Sequence, residues 1–259
     1  MKEYAALKEK GYGILRNKIS QDWVNDLKSG AYKAFEEHRQ IQIRNGNDIQ
    51  TEGVALHVLL SDPIFIMLLH ELNRIGVIEE IEREFFGGKF IMNSMSALNN
   101  LPSGVNFSGK IHRDIRFYSG DVPLMLNALI LLDDFTEDNG PTLLLPYSHT
   151  KKEQPSDDYF FSHCEKAIGK SGDILLFNAN VFHCSSSNRT TNTRMGLPIT
   201  FTKSSMKQLL DYPRAIGYDK MNSFDEDVQR LLGYHSRVPA SLNEWYMPAE
   251  DRLYKQGQG

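Results

Sequence analysis

Apolar positions recur at helical spacing in the first third of the chain and at strand spacing in its middle, and the change falls at a pair of glycines. Ser20 stands where an N-cap is expected, ahead of Trp23, Val24, Leu27, Ala31 and Phe35 at spacings of one, three and four, which predicts a helix running to about residue 38. Ile64, Met67, Leu68, Leu72, Ile75, Ile78 and Ile81 gather on one side of a second expected helix over 63–86, ended by Gly87-Gly88. From Lys89 the period shortens. Short apolar or alternating runs at 90–98, 110–118, 124–132, 142–145, 173–177, 181–184 and 194–202 are separated by stretches rich in Gly, Pro, Asn, Asp and Ser, the signature of strands and turns. Two short helical patterns, near 206–210 and 225–232, precede an irregular tail. The pattern predicts a mainly β protein with flanking helices: a helical N-terminal part over about 1–88, a β core over about 89–203 and a helical tail over about 204–259. No linker, internal repeat or low-complexity segment divides it, so 1–259 reads as one domain.

Composition narrows the function classes. Hydrophobic residues at 41% and charged residues at 24% are ordinary for a globular chain, and 29 basic against 33 acidic residues leave a net charge of only −4. That balance argues against nucleic acid or another polyanion as partner. The opening "MKEYAALKEKGYGILRNK" has no continuous apolar stretch, which predicts neither signal peptide nor membrane span and hence a cytoplasmic protein. Cys164 and Cys184 then read as reduced thiols, and the sequons at Asn106 and Asn188 as chance matches. Oligomeric state is not legible.

The stretch "GKIHRDIRFYSG" (109–120) concentrates polar chemistry in a strand-like segment. Its HRD triplet is not a kinase catalytic loop, because the position that would need Asn holds Ser119 and no glycine-rich ATP loop precedes it. Gly169-Lys170-Ser171 is not a P-loop, whose first glycine would fall at Cys164. The acidic run Asp133, Asp134, Glu137 and Asp138 reads as a solvated turn, supported by Asn139-Gly140-Pro141. In a strand, side chains two apart share a face, so His112 and Asp114 can converge on one ion while Arg113 points away. By itself such a pair is as readily a hydrogen-bonded surface pair, so a third ligand is needed. His183, at the end of the apolar run "DILLFNANVFH", is the best candidate. Two histidines and one carboxylate suit non-haem Fe(II) with open coordination positions. Arg194 begins "RMGLPITFT", opposite the apolar face of Met195, Leu197, Ile199 and Phe201, where a guanidinium suits bidentate binding of a carboxylate.

As a set, His112-x-Asp114, "LNALILLDDFTEDNGPTLLLPYSH", "KSGDILLFNANVFHCSS" and Arg194 resemble the phytanoyl-CoA dioxygenase family of Fe(II)/2-oxoglutarate oxygenases, closely over about 90–202 and more loosely at the helical ends. The resemblance implies a double-stranded β-helix, a cupin-like jelly roll with iron between its two sheets. It implies His112, Asp114 and His183 as catalytic iron ligands, Arg194 on the distal carboxylate of the co-substrate 2-oxoglutarate, and O2 as the oxidant. Asn127 is either a further co-substrate contact or a buried amide bonded to neighbouring backbone, and Thr142 is a weaker candidate for the same contact.

Two positions depart from the family pattern: Arg113, where glutamine is frequent, and Tyr147 in Pro146-Tyr147-Ser148-His149, where glycine is usual. Both are expected at the border of the substrate pocket, and His149 reads as structural. The implied activity is hydroxylation of a C–H bond with formation of succinate and CO2; Asp114 favours this over halogenation, since related halogenases carry a small residue there. Desaturation, epoxidation and ring closure stay open. Alternatives are a non-catalytic metal-containing jelly-roll binding protein, which would be expected to lack a ligand or the arginine, and a cupin-type metal-dependent isomerase or hydrolase, which has no use for Arg194. The loops at 46–53, 102–109 and 153–161 mix polar and aromatic residues, favouring a small polar metabolite, sugar derivative or biosynthetic intermediate over a fatty acyl thioester. Arg113 and Arg116 either meet an anionic substrate group or are solvated.

Overall fold

The computed structural model describes residues 2–47, 53–102 and 109–257; the sequon Asn106 and most of the loops 46–53 and 102–109 lie outside them. Helix α1 (Lys2–Lys10) buries Tyr4 and Leu7 and turns through Gly11 into strand β1 (Tyr12–Leu15). Helix α2 (Gln21–Arg44) is capped as its sequence predicts, the Ser20 hydroxyl accepting from Trp23 N. It runs six residues past the expected end because its last turns are solvent-facing, with Ile43 exposed, so apolar periodicity fades before the helix does. After strand β2 (Val54–Leu56), the expected helix over 63–86 is broken. Helix α3 (Pro63–Arg74) stops before Gly76, whose left-handed φ of +77° starts α4 (Val77–Ile81), and a π-helical turn follows over Glu82–Phe86. The N-terminal part is therefore not purely helical: β1 and β2 both join the main sheet.

The remaining strands are β3 (Ile91–Asn100), β4 (Met125–Leu131), β5 (Thr142–Leu144), β6 (Glu165–Lys166), β7 (Ile174–Asn178), β8 (His183–Ser185) and β9 (Arg194–Thr202), with helix α5 (Asp157–His163) between β5 and β6. The tail holds α6 (Tyr212–Ile216), α7 (Glu226–Leu232) and α8 (Leu242–Trp245). The helix expected at 206–210 is absent; that segment is latched along β3 instead, Asn93 Nδ2 donating to Lys207 O (3.1 Å) and Gln208 Nε2 to Met92 O (2.7 Å).

Two antiparallel sheets face each other, a larger one in the order β1-β7-β4-β9-β3-β2 and a smaller one in the order β6-β5-β8. Among the described residues they do not close into a barrel. Alternation along the larger sheet separates its two faces. Leu126, Ala128 and Ile130 of β4 and Met195, Leu197, Ile199 and Phe201 of β9 pack with the helices into the main core. Leu129 and Leu131 turn the other way, toward Leu144 of the smaller sheet. Each large apolar side chain withdrawn from water contributes about 1.5–3 kcal/mol, so burial on both of its faces fixes the larger sheet between the helices and the smaller sheet.

Gly11 fixes how α1 meets this frame. Its φ is +94°, and a Cβ there would approach His149 Nδ1 and Val181 to 2.6 Å. A left-handed L-residue costs about 1–2 kcal/mol and overpacking about 1–3 kcal/mol. Gly11→Ala should therefore lose about 2–5 kcal/mol of stability, seen in urea melts as a lower midpoint at unchanged slope; an unshifted midpoint would show that α1 does not dock as described.

Candidate active site

Between the two sheets lies a cavity of about 760 Å³. His183 reaches it as the first residue of β8, after a turn in which Asn180 N donates to the Asn178 side chain and Val181 N to Asn178 O. His112 does not come from a strand, contrary to the expectation for 110–118. It forms a single bridge with His183, each backbone N–H donating to the other's carbonyl (3.0 and 2.9 Å), which places the two side chains on the same side with ring centroids 4.4 Å apart. The chain then bends, because the N–H groups of Asp114 and Ile115 both point at Ala179 O. This bend, rather than strand alternation, brings Asp114 beneath the rings: Oδ1 is 3.4 Å from His112 Nε2 and Oδ2 is 3.5 Å from His183 Nε2.

These three side chains can each offer a ligand atom within 4.8 Å of the others, and among the described residues they form the one group of this kind. The donor set fits a divalent ion. The Nδ1 atoms lie 2.7 Å from Lys110 O and 3.0 Å from Val181 O, the geometry of N–H donation to a carbonyl, which leaves both Nε2 lone pairs for a metal. Burial raises the Asp114 pKa, but the neighbouring His183 and His112 and the amide of Asn127 outweigh it and hold the carboxyl below its ordinary value. Burial lowers His183. His112 is also pushed down by burial, but the Asp114 carboxylate outweighs this and its pKa is raised overall. An anionic Asp114 beside a His183 disposed to be neutral is a cation-seeking arrangement.

Asn127, at the centre of β4 and 3% exposed, donates from Nδ2 to Asp114 Oδ2 (2.7 Å) and accepts from Thr200 Oγ1 at Oδ1 (2.8 Å). Its amide is bonded to side chains rather than to backbone, and its near partner is the carboxylate. Strand pairing sets this up, since Asn127 lies directly opposite Thr200. A residue that orients a ligand in this way typically contributes 10–100-fold to metal affinity. Asn127→Ala should weaken Fe(II) binding by roughly that factor in anaerobic competition with a chromophoric chelator, and Thr200→Val by less; unchanged affinity in both would show that the relay does not set the carboxylate.

Arg194 opens β9 on the inner face, 4% exposed. Its guanidinium stacks 4.0 Å over Phe135 and donates from one amino group to Gly140 O, while the buried Nε has no partner. Burial pushes its pKa down to about 10, so it remains a cation at neutral pH. A buried, partly unpaired cation carries an uncompensated desolvation penalty, which an incoming carboxylate would relieve. Thr142 lies on β5 in the cavity wall.

Other expectations sort by position. Arg113 and Tyr147 do not line the cavity. Arg113 packs over Phe182 and donates to the carbonyls of Lys151 and Lys152; Tyr147 takes a left-handed φ of +63° on the surface, the conformation a glycine would adopt without strain. Arg116 does line it. His149 is packed against Gly11, and Arg189 is exposed and paired with Asp138. Asn188, one of the sequons, is buried with its amide nitrogen donating to Asn100 O and Asn192 O. Missed were Ser94, Ser96 and Asn100 of β3, which face the cavity; Asn100 Oδ1 is buried there without a partner. Their even spacing of two and four residues is the available signal, obscured by the extra residue of a bulge between Met92 and Ser94.

The profile of the phytanoyl-CoA dioxygenase (PhyH) family matches residues 7–196. An uncharacterized Mycobacterium tuberculosis protein is 34% identical over 212 residues, covering 80% of this chain and 76% of the relative. Dioxygenase cdmA of Talaromyces verruculosus is 26% identical over 253 residues, covering 90% and 82%. Among solved structures, the non-heme alpha-ketoglutarate-dependent carbocyclase SnoK from nogalamycin biosynthesis superposes with a TM-score of 0.58 at 18% identity, over 78% of this chain and 83% of that one. The epimerase SnoN from the same biosynthesis gives 0.60 at 15% identity, over 78% and 79%. The likeness in fold is to jelly-roll oxygenases.

Proposed function

The chain belongs to the phytanoyl-CoA dioxygenase family, and from that premise we propose that this 2-oxoglutarate-dependent dioxygenase hydroxylates a C–H bond of a small metabolite or biosynthetic intermediate. The observation that carries the reading is the buried Arg194 Nε without a partner, in the same cavity as His112, Asp114 and His183. A metal-dependent isomerase or hydrolase has no use for that cation. When bound, Fe(II) and 2-oxoglutarate supply the oxidising chemistry, coupling decarboxylation to succinate and CO2 with reduction of O2 and oxygenation of the substrate.

The protein's part is positioning. His112 and His183 present Nε2 because their Nδ1 protons are held by backbone carbonyls, and Asp114 presents its carboxylate under the hold of Asn127. Arg194, with its unpartnered Nε, would anchor the co-substrate's distal carboxylate, and Thr142 in the same cavity wall would add a hydroxyl contact. Phe177, edge-on to His183 at 4.8 Å, and Leu129 supply apolar wall to the same cavity. Asp114 fills the ligand position that halogen transfer would need vacant, which supports hydroxylation.

A metabolite-extract screen under air with Fe(II) and 2-oxoglutarate tests the proposal. One fraction should stimulate succinate formation in step with a product heavier by one oxygen atom. Stimulated succinate with a product of another mass would replace hydroxylation by a different oxidation, and succinate-free conversion would overturn the reading.

A further inference from the structure

The charge on the cavity wall runs against the charge of the chain. Acidic residues outnumber basic ones overall, 33 to 29, yet among the described residues the only carboxylate in the wall is Asp114, against three cations, Arg116, Arg194 and Lys207. On the proposed function, on which this inference rests, the ferrous dication and the 2-oxoglutarate dianion cancel, and Asp114 balances Arg194. Two positive charges remain, Arg116 and Lys207. Both are exposed, and neither side chain has an ion-pair or hydrogen-bond partner among the described residues.

Neither is placed at random. Arg116 follows Asp114 by two residues, on the segment fixed by the bonds of Asp114 and Ile115 to Ala179 O and by the burial of Ile115. Lys207 is carried by the stretch latched to β3 through Asn93 and Gln208. The same two segments bring large apolar side chains to the cavity and leave them in water: Phe117 is 54% exposed and Leu209 71%, with Leu56 of β2 at 50%. Apolar groups at a pocket wall beside unpaired cations mark a binding surface for a molecule with both characters.

The geometry points to an amphipathic organic anion as the substrate, its apolar body against Leu56, Phe117 and Leu209 and its carboxylate or phosphate taken by Arg116 and Lys207. This shifts the sequence expectation of a small polar metabolite toward a molecule with a substantial apolar part. The shared chemistry of the two anionic groups is a charge met by a guanidinium and an ammonium; guanidinium forks suit both.

The test uses octanoate, octyl phosphate and octanol as probes, titrated calorimetrically into protein loaded anaerobically with Fe(II) and saturating 2-oxoglutarate. At least one of the two anions should bind roughly tenfold or more tightly than octanol, and the tighter anion identifies the group. The double variant Arg116→Gln/Lys207→Gln should lose that preference while octanol binding and the visible iron–2-oxoglutarate band stay as in the wild type. Phe117→Ser/Leu209→Ser should weaken all three probes alike. Octanol binding as well as both anions, or a preference that survives in the Arg116→Gln/Lys207→Gln variant, overturns the inference. A normal band without the preference overturns the anion site alone; a missing band with the preference intact overturns the proposed function and leaves the anion site.

Discussion

Asp114→Ala should abolish 2-oxoglutarate-dependent turnover and lower Fe(II) affinity by about two orders of magnitude or more, beyond the 10–100-fold typical of a residue that only orients a ligand. Among the described residues Asp114 is the one carboxylate in the cavity wall, and the remaining ligand atoms are two imidazole nitrogens. Its removal takes away both a ligand and the negative charge that opposes the dication. The fold should survive. Asp114 is half-buried, and its loss strands the Asn127 amide, a penalty of about 1–3 kcal/mol. A thermal melt separates that modest loss from the catalytic one. Normal iron-dependent activity in a folded Asp114→Ala protein would remove Asp114 from the ligand set.

Arg194→Ala should raise the apparent KM for 2-oxoglutarate by roughly 30-fold or more. Removing one partner of a desolvated charge pair costs about 2–5 kcal/mol, and each 1.4 kcal/mol is about tenfold. Fe(II) binding without co-substrate should change little, since the guanidinium is not placed as a ligand. Arg189, five residues earlier and paired with Asp138 in solvent, is the internal control: Arg189→Ala should stay within a few-fold of the wild type, as exposed ion pairs are worth about 1 kcal/mol or less. If the two variants exchanged behaviour, Arg189 would be the anchor. If neither affected 2-oxoglutarate use, the co-substrate pocket would lose its support.

The strongest sequence signals came from elements whose neighbours are regular. β9 has the bounds its alternation predicts, 194–202, because it lies between β4 and β3 in the sheet and every second side chain enters the main core. The residues of the candidate site stand out in the sequence for other reasons: Asn127, His183 and Arg194 are polar groups at the end of, or within, apolar runs, whereas His112 and Asp114 belong to a stretch dense in polar side chains. The local geometry does not. The segment 110–118 alternates like a strand, yet it makes one bridge and then bends, since Ala179 O takes two N–H groups that a ladder would have spread over two partners. β1 and β2 escaped notice because "YGIL" and "VAL" are too short to show a period; their pairing with β7 and β3 is a long-range choice. The role of Asn127 also depends on such pairing, since only the register with Thr200 and the bend at Asp114 give its amide those two partners. The break at Gly76 was signalled by the glycine itself, which the apolar stripe running through it from Ile75 to Ile78 outweighed.

The central claim is that His112, Asp114, His183 and Arg194 together hold Fe(II) and 2-oxoglutarate in one cavity. Anaerobic titration of 2-oxoglutarate into the Fe(II)-loaded protein, followed by visible absorption, tests it most directly, because the metal-to-ligand charge-transfer band arises only when the oxo acid chelates the bound ion. The account predicts a band that saturates at one equivalent in the wild type, needs far more 2-oxoglutarate in Arg194→Ala and is absent in Asp114→Ala; a wild-type protein that binds Fe(II) yet shows no band at saturating 2-oxoglutarate would contradict it.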